Sequence, residues 1–309
     1  MTPRHRPARP LTYDLAMLPP PLIPDRPLSD AEDLARWQAW VARFAEMLGA
    51  PATAPPRFTP QAGGHCLVFA PHPDDECIVG ALPLRLQREA GWRVTNVAVT
   101  LGSNKARRAE RWAELEAACK VLGFANIRLR EDGFETVKPE TAAQQPALWA
   151  EQVQAVAALL KAERPALILL PHEHDGNATH IGVHQLVMDA LAAAGVETVV
   201  AQTEFWSTQP APNWMVETSA ADTARLIQAL ARHVGEVQRN PYHQRLPAFM
   251  ADNVRRGGEL IAGAGSAVPD YAFATLYRLS LWRDGREHEL PARLCPAGEA
   301  LQSAWFSIT

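Results

Sequence analysis

The chain has 309 residues, 47% of them apolar, and a formal net charge of −4. That is enough apolar material for one large α/β domain or two smaller ones and too much for a disordered chain. The mild acidity leaves no basic stripe of the kind nucleic-acid binding requires.

Residues 1–28 are proline-rich and without periodicity, and read as an extended arm. "SDAEDLARWQAWVARFAEMLG" follows, with Ser29 and Glu32 spaced as a capping box and Gly49 as a stop; Leu34, Trp37, Val41, Phe44 and Leu48 predict one apolar helical face. Residues 50–64 read as a linker, so residues 1–60 are expected to be an arm and helix, and residues 61–309 the main domain. "CLVFA" (66–70) is an all-apolar run typical of a central parallel strand. Helix is predicted up to Gly91 with a kink at Pro83, strand over 92–100, helix over 106–122 and strand over 126–130. Helix over 146–162, strand over 166–171, helix over 180–194 and strand over 196–201 continue the alternation. Residues 203–217 read as extended, 220–234 as helix and 271–283 as a late strand. This rhythm predicts a Rossmann-like, doubly wound, mostly parallel sheet with helices on both faces, plus an N-terminal helical extension. The chain has no run of about 18 apolar residues and no signal-like segment in 1–25, so a cytoplasmic protein without a membrane span is expected. Its four cysteines, Cys66, Cys77, Cys119 and Cys295, form no CxxC pair, which suits a reducing compartment and buried packing rather than a thiol nucleophile.

Ligands of open parallel sheets bind beyond the carboxyl ends of the strands. Two such ends here carry metal-capable side chains. "PHPDDE" (71–76) holds His72, Asp74, Asp75 and Glu76, and "PHEHDGNATHIGVH" (171–184) holds His172, His174, His180 and His184. A histidine and a carboxylate three residues apart at a strand-to-helix turn can converge on one point. One histidine from the second loop would complete a two-histidine, one-carboxylate set, which leaves coordination positions open on zinc or iron. The second of the two adjacent aspartates would then be left to move a proton. Helix capping explains one acidic residue in this stretch and not three.

"PHPDDE", followed about a hundred residues later by a histidine-rich loop, resembles the PIG-L/LmbE-like family of metal-dependent N-deacetylases, with Pro71 in place of the family's alanine. The resemblance covers roughly residues 65–240 and fades towards 283. It implies a zinc-dependent hydrolase, with Fe2+ or another divalent ion as alternatives, that removes the acetyl group of an N-acetylated amino sugar or glycoconjugate. His72, Asp75 and His180 would be metal ligands, Asp74 the general base, and Glu76 a structural helix-start residue. The family's H-P-D-H motif aligns with "NATH", which puts Asn177 where a histidine usually polarises the carbonyl. Asparagine can donate a hydrogen bond to an oxyanion but cannot deliver a proton, so Asp74 would shuttle the proton both ways or His172 or His174 would lean in. The resemblance also aligns Arg111 and Glu114 with an R-x-x-E motif and Asp132 with a substrate-hydroxyl acceptor, making Arg111 and Asp132 candidate substrate contacts. Each also has a plain reading, an Arg–Glu pair on a helix face and an Asp-Gly turn. "RHVGEVQ" is a degraded form of H-x-S-Q, and His233 is given no role. Residues 203–219 and 238–270 could wall the pocket, with Trp206 and Trp214 as sugar platforms or as packing. The partner expected is a small-molecule N-acetyl sugar; the family often forms oligomers, so a homo-oligomer is compatible. Alternatives are an amidase for another N-acyl or thiol-conjugate substrate, a metal-binding relative without catalysis, and a metal phosphoesterase.

Overall fold

The computed structural model describes residues 18–50, 58, 63–205 and 207–306. The first element is α1 (Asp30–Met47), capped as its sequence predicts: the Glu32 amide donates to Ser29 Oγ at 3.3 Å, and the Ser29 amide donates to the Glu32 carboxylate at 2.8 Å. Then come β1 (His65–Ala70), α2 (Ala81–Ala90), β2 (Arg93–Ala98), α3 (Arg108–Leu122) and β3 (Ala125–Arg128). A short α4 (Pro139–Gln144) precedes α5 (Pro146–Glu163), β4 (Leu167–Pro171), α6 (Ala178–Ala194) and β5 (Thr198–Thr203). The remainder is β6 (Trp214–Glu217), α7 (Ala220–Leu230), α8 (Val234–Arg239), α9 (Tyr242–Leu260), β7 (Ala274–Arg283), β8 (Arg286–Glu289) and β9 (Arg293–Cys295).

Among the described residues these strands form one nine-stranded sheet in the order β3-β2-β1-β4-β5-β7-β6-β9, with β8 on β7. β1 to β5 are parallel, and β7 joins antiparallel to β5 and β6. Alternate residues of β1 serve opposite layers. Cys66 and Val68 pack beneath α1, α2, α3 and α7, while Leu67 and Phe69 pack beneath α5 and α6. Both faces are buried, which is why the strand reads as an unbroken apolar run. The chain leaves β1 towards β2 on one side, and β4 lies on the other. The crevice beyond the ends of β1 and β4 is therefore the topological switch point, where ligands of this architecture bind.

The expected strands and longer helices are present, with two differences. Residues 238–270, read as wall-forming loops, contain the 19-residue helix α9, which tolerates Pro247 near its start. An antiparallel flank (β6 to β9) extends the parallel core. The α1 helix buries Trp37 and Val41 against α7, where the Gln228 amide donates to the Asp30 carbonyl at 2.8 Å. No described helix is long and apolar enough to cross a membrane.

Candidate active site

The loop after β1 turns abruptly. Asp74 has φ 111°, a left-handed conformation that a residue with a side chain seldom adopts. Four hydrogen bonds tie the turn down: His72 N–H to Asp75 Oδ2 (2.8 Å), Asp74 N–H to Glu76 Oε2 (2.9 Å), Cys77 N–H to the Asp74 carbonyl (3.0 Å), and Arg111 to the Pro73 carbonyl (2.7 Å). Gly80 then starts α2 at φ 77°, where a Cβ would lie 2.0 Å from Thr275 Oγ1, so only glycine lets the turn pass β7. The loop after β4 turns into α6, with Asn177 as N-cap: its Oδ1 accepts from the Thr179 amide at 2.9 Å. One turn on, His180 points back towards the first loop.

Three atoms meet there. His72 Nδ1, Asp75 Oδ2 and His180 Nε2 lie pairwise 3.3 Å apart. Donor atoms on a tetrahedral ion with bonds of about 2.0–2.1 Å stand about 3.3–3.4 Å from one another. The triangle therefore has the size of one face of a zinc tetrahedron, and the donor set fits a borderline metal. Asp74 is not part of this cluster. It lines the same cavity, whose volume is about 770 Å³ and whose walls include Arg111, Glu135, Thr136, Lys138, Asn177, Phe205, Glu236, Arg239 and Tyr242.

The two adjacent aspartates are driven in opposite directions. Burial and then the Asp75 charge push the Asp74 carboxyl well above the usual range, against weaker pulls from His233 and Arg111. Burial also acts upward on Asp75, but His180 and His72 outweigh it and hold it well below that range. His180 is desolvated too, yet Asp75 and Asp175 raise it to about 10. Asp75 at Nε2 and Asp175 at Nδ1 thus both favour positive charge at His180.

Several expected residues lie elsewhere. Asp132 is exposed in the turn before Gly133 and does not line the cavity. The turn serves the backbone, since Phe134 N–H donates to the Val99 carbonyl at 2.8 Å and Gly133 at φ 68° crowds Leu101 N. His172 is buried with Nε2 2.9 Å from the Ser207 carbonyl, and exposed His174 lies 3.7 Å from Glu173; neither lines the cavity. His184 Nδ1 sits 2.9 Å from the Pro171 carbonyl, tying α6 to the end of β4. Arg111 does line the cavity, but its guanidinium also holds Pro73. Trp214 is core, edge-on to Trp305 at 5.8 Å, so it is no sugar platform; Trp206 lies outside the described residues. All four cysteines are buried, and burial, with Glu76 beside it, pushes the Cys77 thiol up and makes it inert.

Two residues were missed. Asp175 places Oδ2 3.2 Å from His180 Nδ1, off the line of a straight hydrogen bond but on the far side of the ring from the triangle. That is where an orienting carboxylate stands behind a ligating histidine. His233, set aside in the sequence, is fully buried with Nε2 2.6 Å from Glu76 Oε1. The His-rich window contained a signal for the first, and the degraded H-x-S-Q stretch contained one for the second, set aside because Gly235 and Glu236 replace its last two residues.

A family model described as PIG-L: GlcNAc-PI de-N-acetylase matches residues 67–191. The fold resembles that of the A40926 pseudoaglycone deacetylase (TM-score 0.53, 16% identity, 72% of this chain and 98% of that one). It also resembles the 4-carboxy-2-hydroxymuconate hydratase of Pseudomonas putida KT2440 (TM-score 0.52, 15% identity, 70% and 95%). A third neighbour is the N,N'-diacetylchitobiose deacetylase of Pyrococcus horikoshii (TM-score 0.50, 14% identity, 82% and 94%). At these identities the likeness establishes the fold alone, and no curated protein matches by sequence. The matched segment carries both strand-end loops and all three atoms of the triangle.

Proposed function

We propose that this protein is a divalent-metal-dependent N-deacetylase, with zinc as the ion, that hydrolyses the acetamide of an N-acetylated amino sugar. The observation that carries the proposal is the 3.3 Å triangle of His72, Asp75 and His180 with a separate buried carboxylate, Asp74, facing the same cavity. The family description and two deacetylases among the fold neighbours support the choice of reaction and substrate class. Four buried, unpaired cysteines suit a reducing compartment such as the cytoplasm.

His72, Asp75 and His180 would hold the ion, which when bound polarises a carbonyl oxygen and brings the pKa of water beside it down to about 7. Asp175 keeps the His180 ring oriented, leaving Nε2 for the ion. Asp74 accepts the proton of the attacking water. Burial raises its proton affinity towards working pH, where a base functions best. Asn177, whose carbonyl is committed to the α6 cap, has its Nδ2–H2 group left to donate to the developing oxyanion. Since asparagine carries no proton to give, Asp74 returns its own to the departing nitrogen, and acetate and a free amine result. Arg111, beside Asp74 at the cavity wall, can contact the sugar as well as the Pro73 carbonyl.

The test is metal analysis of protein purified without added metal, followed by acetate release from a panel of N-acetyl sugars. Asp74→Asn should keep its metal and lose about 10²–10⁴ of the rate, the range that a positioned acid–base group contributes. A fully active Asp74→Asn protein would overturn the assignment.

A further inference from the structure

Behind the base lies a second polar unit, outside the cavity lining. Glu76 and His233 are both 0% exposed and come from positions 157 residues apart. His233 enters from the turn between α7 and α8 and places Nε2 2.6 Å from Glu76 Oε1, where the Cys77 thiol also donates at 3.1 Å. The other carboxylate oxygen, Oε2, accepts the Asp74 amide at 2.9 Å. A buried carboxylate is costly unless paired and hydrogen-bonded, and capping a three-residue turn does not require one. Left-handed backbone at a residue with a side chain is strained and persists only where its surroundings over-determine it. Glu76 supplies the one side-chain acceptor for the amide of that strained residue.

We infer that Glu76 and His233 form a positioning dyad that holds Asp74 in its left-handed conformation. Two consecutive carboxylates can then face different tasks, Asp75 the histidine pair and Asp74 the cavity. Neither dyad member touches the triangle's closing atoms or lines the cavity, so both act through Asp74 as positioning residues. The inference rests on Asp74 being the base of the proposed reaction, but the geometry it describes can be read without turnover.

Three measurements test it on the full chain. The first needs no substrate. If Asp74 is held left-handed, Asp74→Gly should melt about 1–2 °C above Asp74→Ala. In a Glu76→Leu or His233→Leu background that gap should close. The second is zinc titration: Glu76→Gln and His233→Gln should bind zinc within about twofold of the wild type, because the triangle is untouched. The third is kinetic. Both variants should lose about 10–100-fold in kcat with KM nearly unchanged, and Glu76→Gln, which keeps an oxygen for the Asp74 amide, should lose less than Glu76→Leu. Adding Glu76→Gln to Asp74→Asn should cost nothing further, as expected for residues that act as a unit. A merely structural role would instead lower zinc affinity, kcat and melting temperature together. Equal melting of the glycine and alanine variants, or full loss of zinc from Glu76→Gln, overturns the dyad. Failure of every N-acetyl substrate on the wild-type enzyme overturns the deacetylase reading and leaves the melting and zinc results to decide the dyad. If the leucine variants fail to fold, the zinc and kinetic measurements on Glu76→Gln and His233→Gln decide the dyad.

Discussion

Two regions of this molecule bury charge, and they do so in opposite ways. Arg85 on α2 has no exposed surface, and its guanidinium is closed on every side. It reaches Glu89 at 2.8 Å and the carbonyls of Cys295, Pro296 and Glu299 at 2.8, 2.9 and 2.6 Å. Glu89 in turn accepts from Arg88 and from the Leu301 amide. Every nitrogen of Arg85 has a partner, so its guanidinium has nothing left to offer a ligand and serves to pin the C-terminal segment to α2. The triangle of His72, Asp75 and His180 is largely buried too, but its three atoms face one point, and beyond one another Asp75 Oδ2 accepts only the His72 amide. Asp175 and His180 add atoms without a satisfactory partner. A buried polar cluster that is fully satisfied reads as architecture, and one that converges on an empty centre reads as a site.

The largest effect should come from opening the triangle. His72→Ala removes one of three ligand atoms and should abolish zinc binding and lower acetate release by more than about 10³-fold, since both depend on the ion. The fold should survive, because His72 is partly exposed and holds no other element in place. Elemental analysis with circular dichroism checks both halves. A variant that keeps stoichiometric zinc would put the ion elsewhere.

Breaking the closed cluster should do the reverse. Arg85→Met strands Glu89 and several carbonyls in the interior, and removal of one partner of a buried pair costs about 3–5 kcal/mol. Urea unfolding should report that loss, while the folded fraction keeps its zinc affinity. If Arg85→Met folds with unchanged stability, the contrast between the two regions fails.

Much of this contrast was legible before any coordinates. The strand runs at 66–70 and 166–171 announce a two-sided parallel sheet, and its switch point brings together the two loops that hold His72, Asp75 and His180. The rest depends on pairings that no local pattern carries. Asp175 is a turn residue, since its Oδ1 accepts the Asn177 amide at 2.8 Å; its second oxygen reaches His180 only after α6 folds back. Glu76 read as a structural helix-start residue and His233 as part of a degraded motif without a role, and the bond between them spans 157 positions. At the Asp-Gly turn the backbone itself requires Gly133 against Thr100 and Leu101, while Asp132 stands outside the cavity lining.

Proton and metal should compete at the triangle, and pH separates them. In metal-free protein His180 is held up to about 10 by Asp75 and Asp175 against an unfolded value near 6.5. Its contribution to stability is then complete below about pH 6.5 and is lost as pH rises towards 10. Zinc requires the neutral ring, so the loaded protein should lack this share of the slope, and apparent zinc affinity should rise with pH as the displaced proton becomes easier to remove. Melting curves of loaded and chelator-treated protein between pH 6.5 and 10 make the comparison. Parallel curves would mean that His180 is not shared between the two cations.

The smallest effect separates the two tasks given to Asn177, one in each kind of region. Its Oδ1 closes the start of α6, an architectural bond; its amide group is the proposed donor to substrate. Asn177→Ser retains a capping oxygen and should leave stability within a few tenths of a kcal/mol of the wild type, whereas Asn177→Ala should lose about 1 kcal/mol. Both remove the amide donor, and each should lower kcat by about 10²-fold if that donor meets the oxyanion. Equal stability of the two variants would deny the cap its part. A serine variant with full kcat would leave Asn177 a capping residue only, and the oxyanion would then depend on the ion alone.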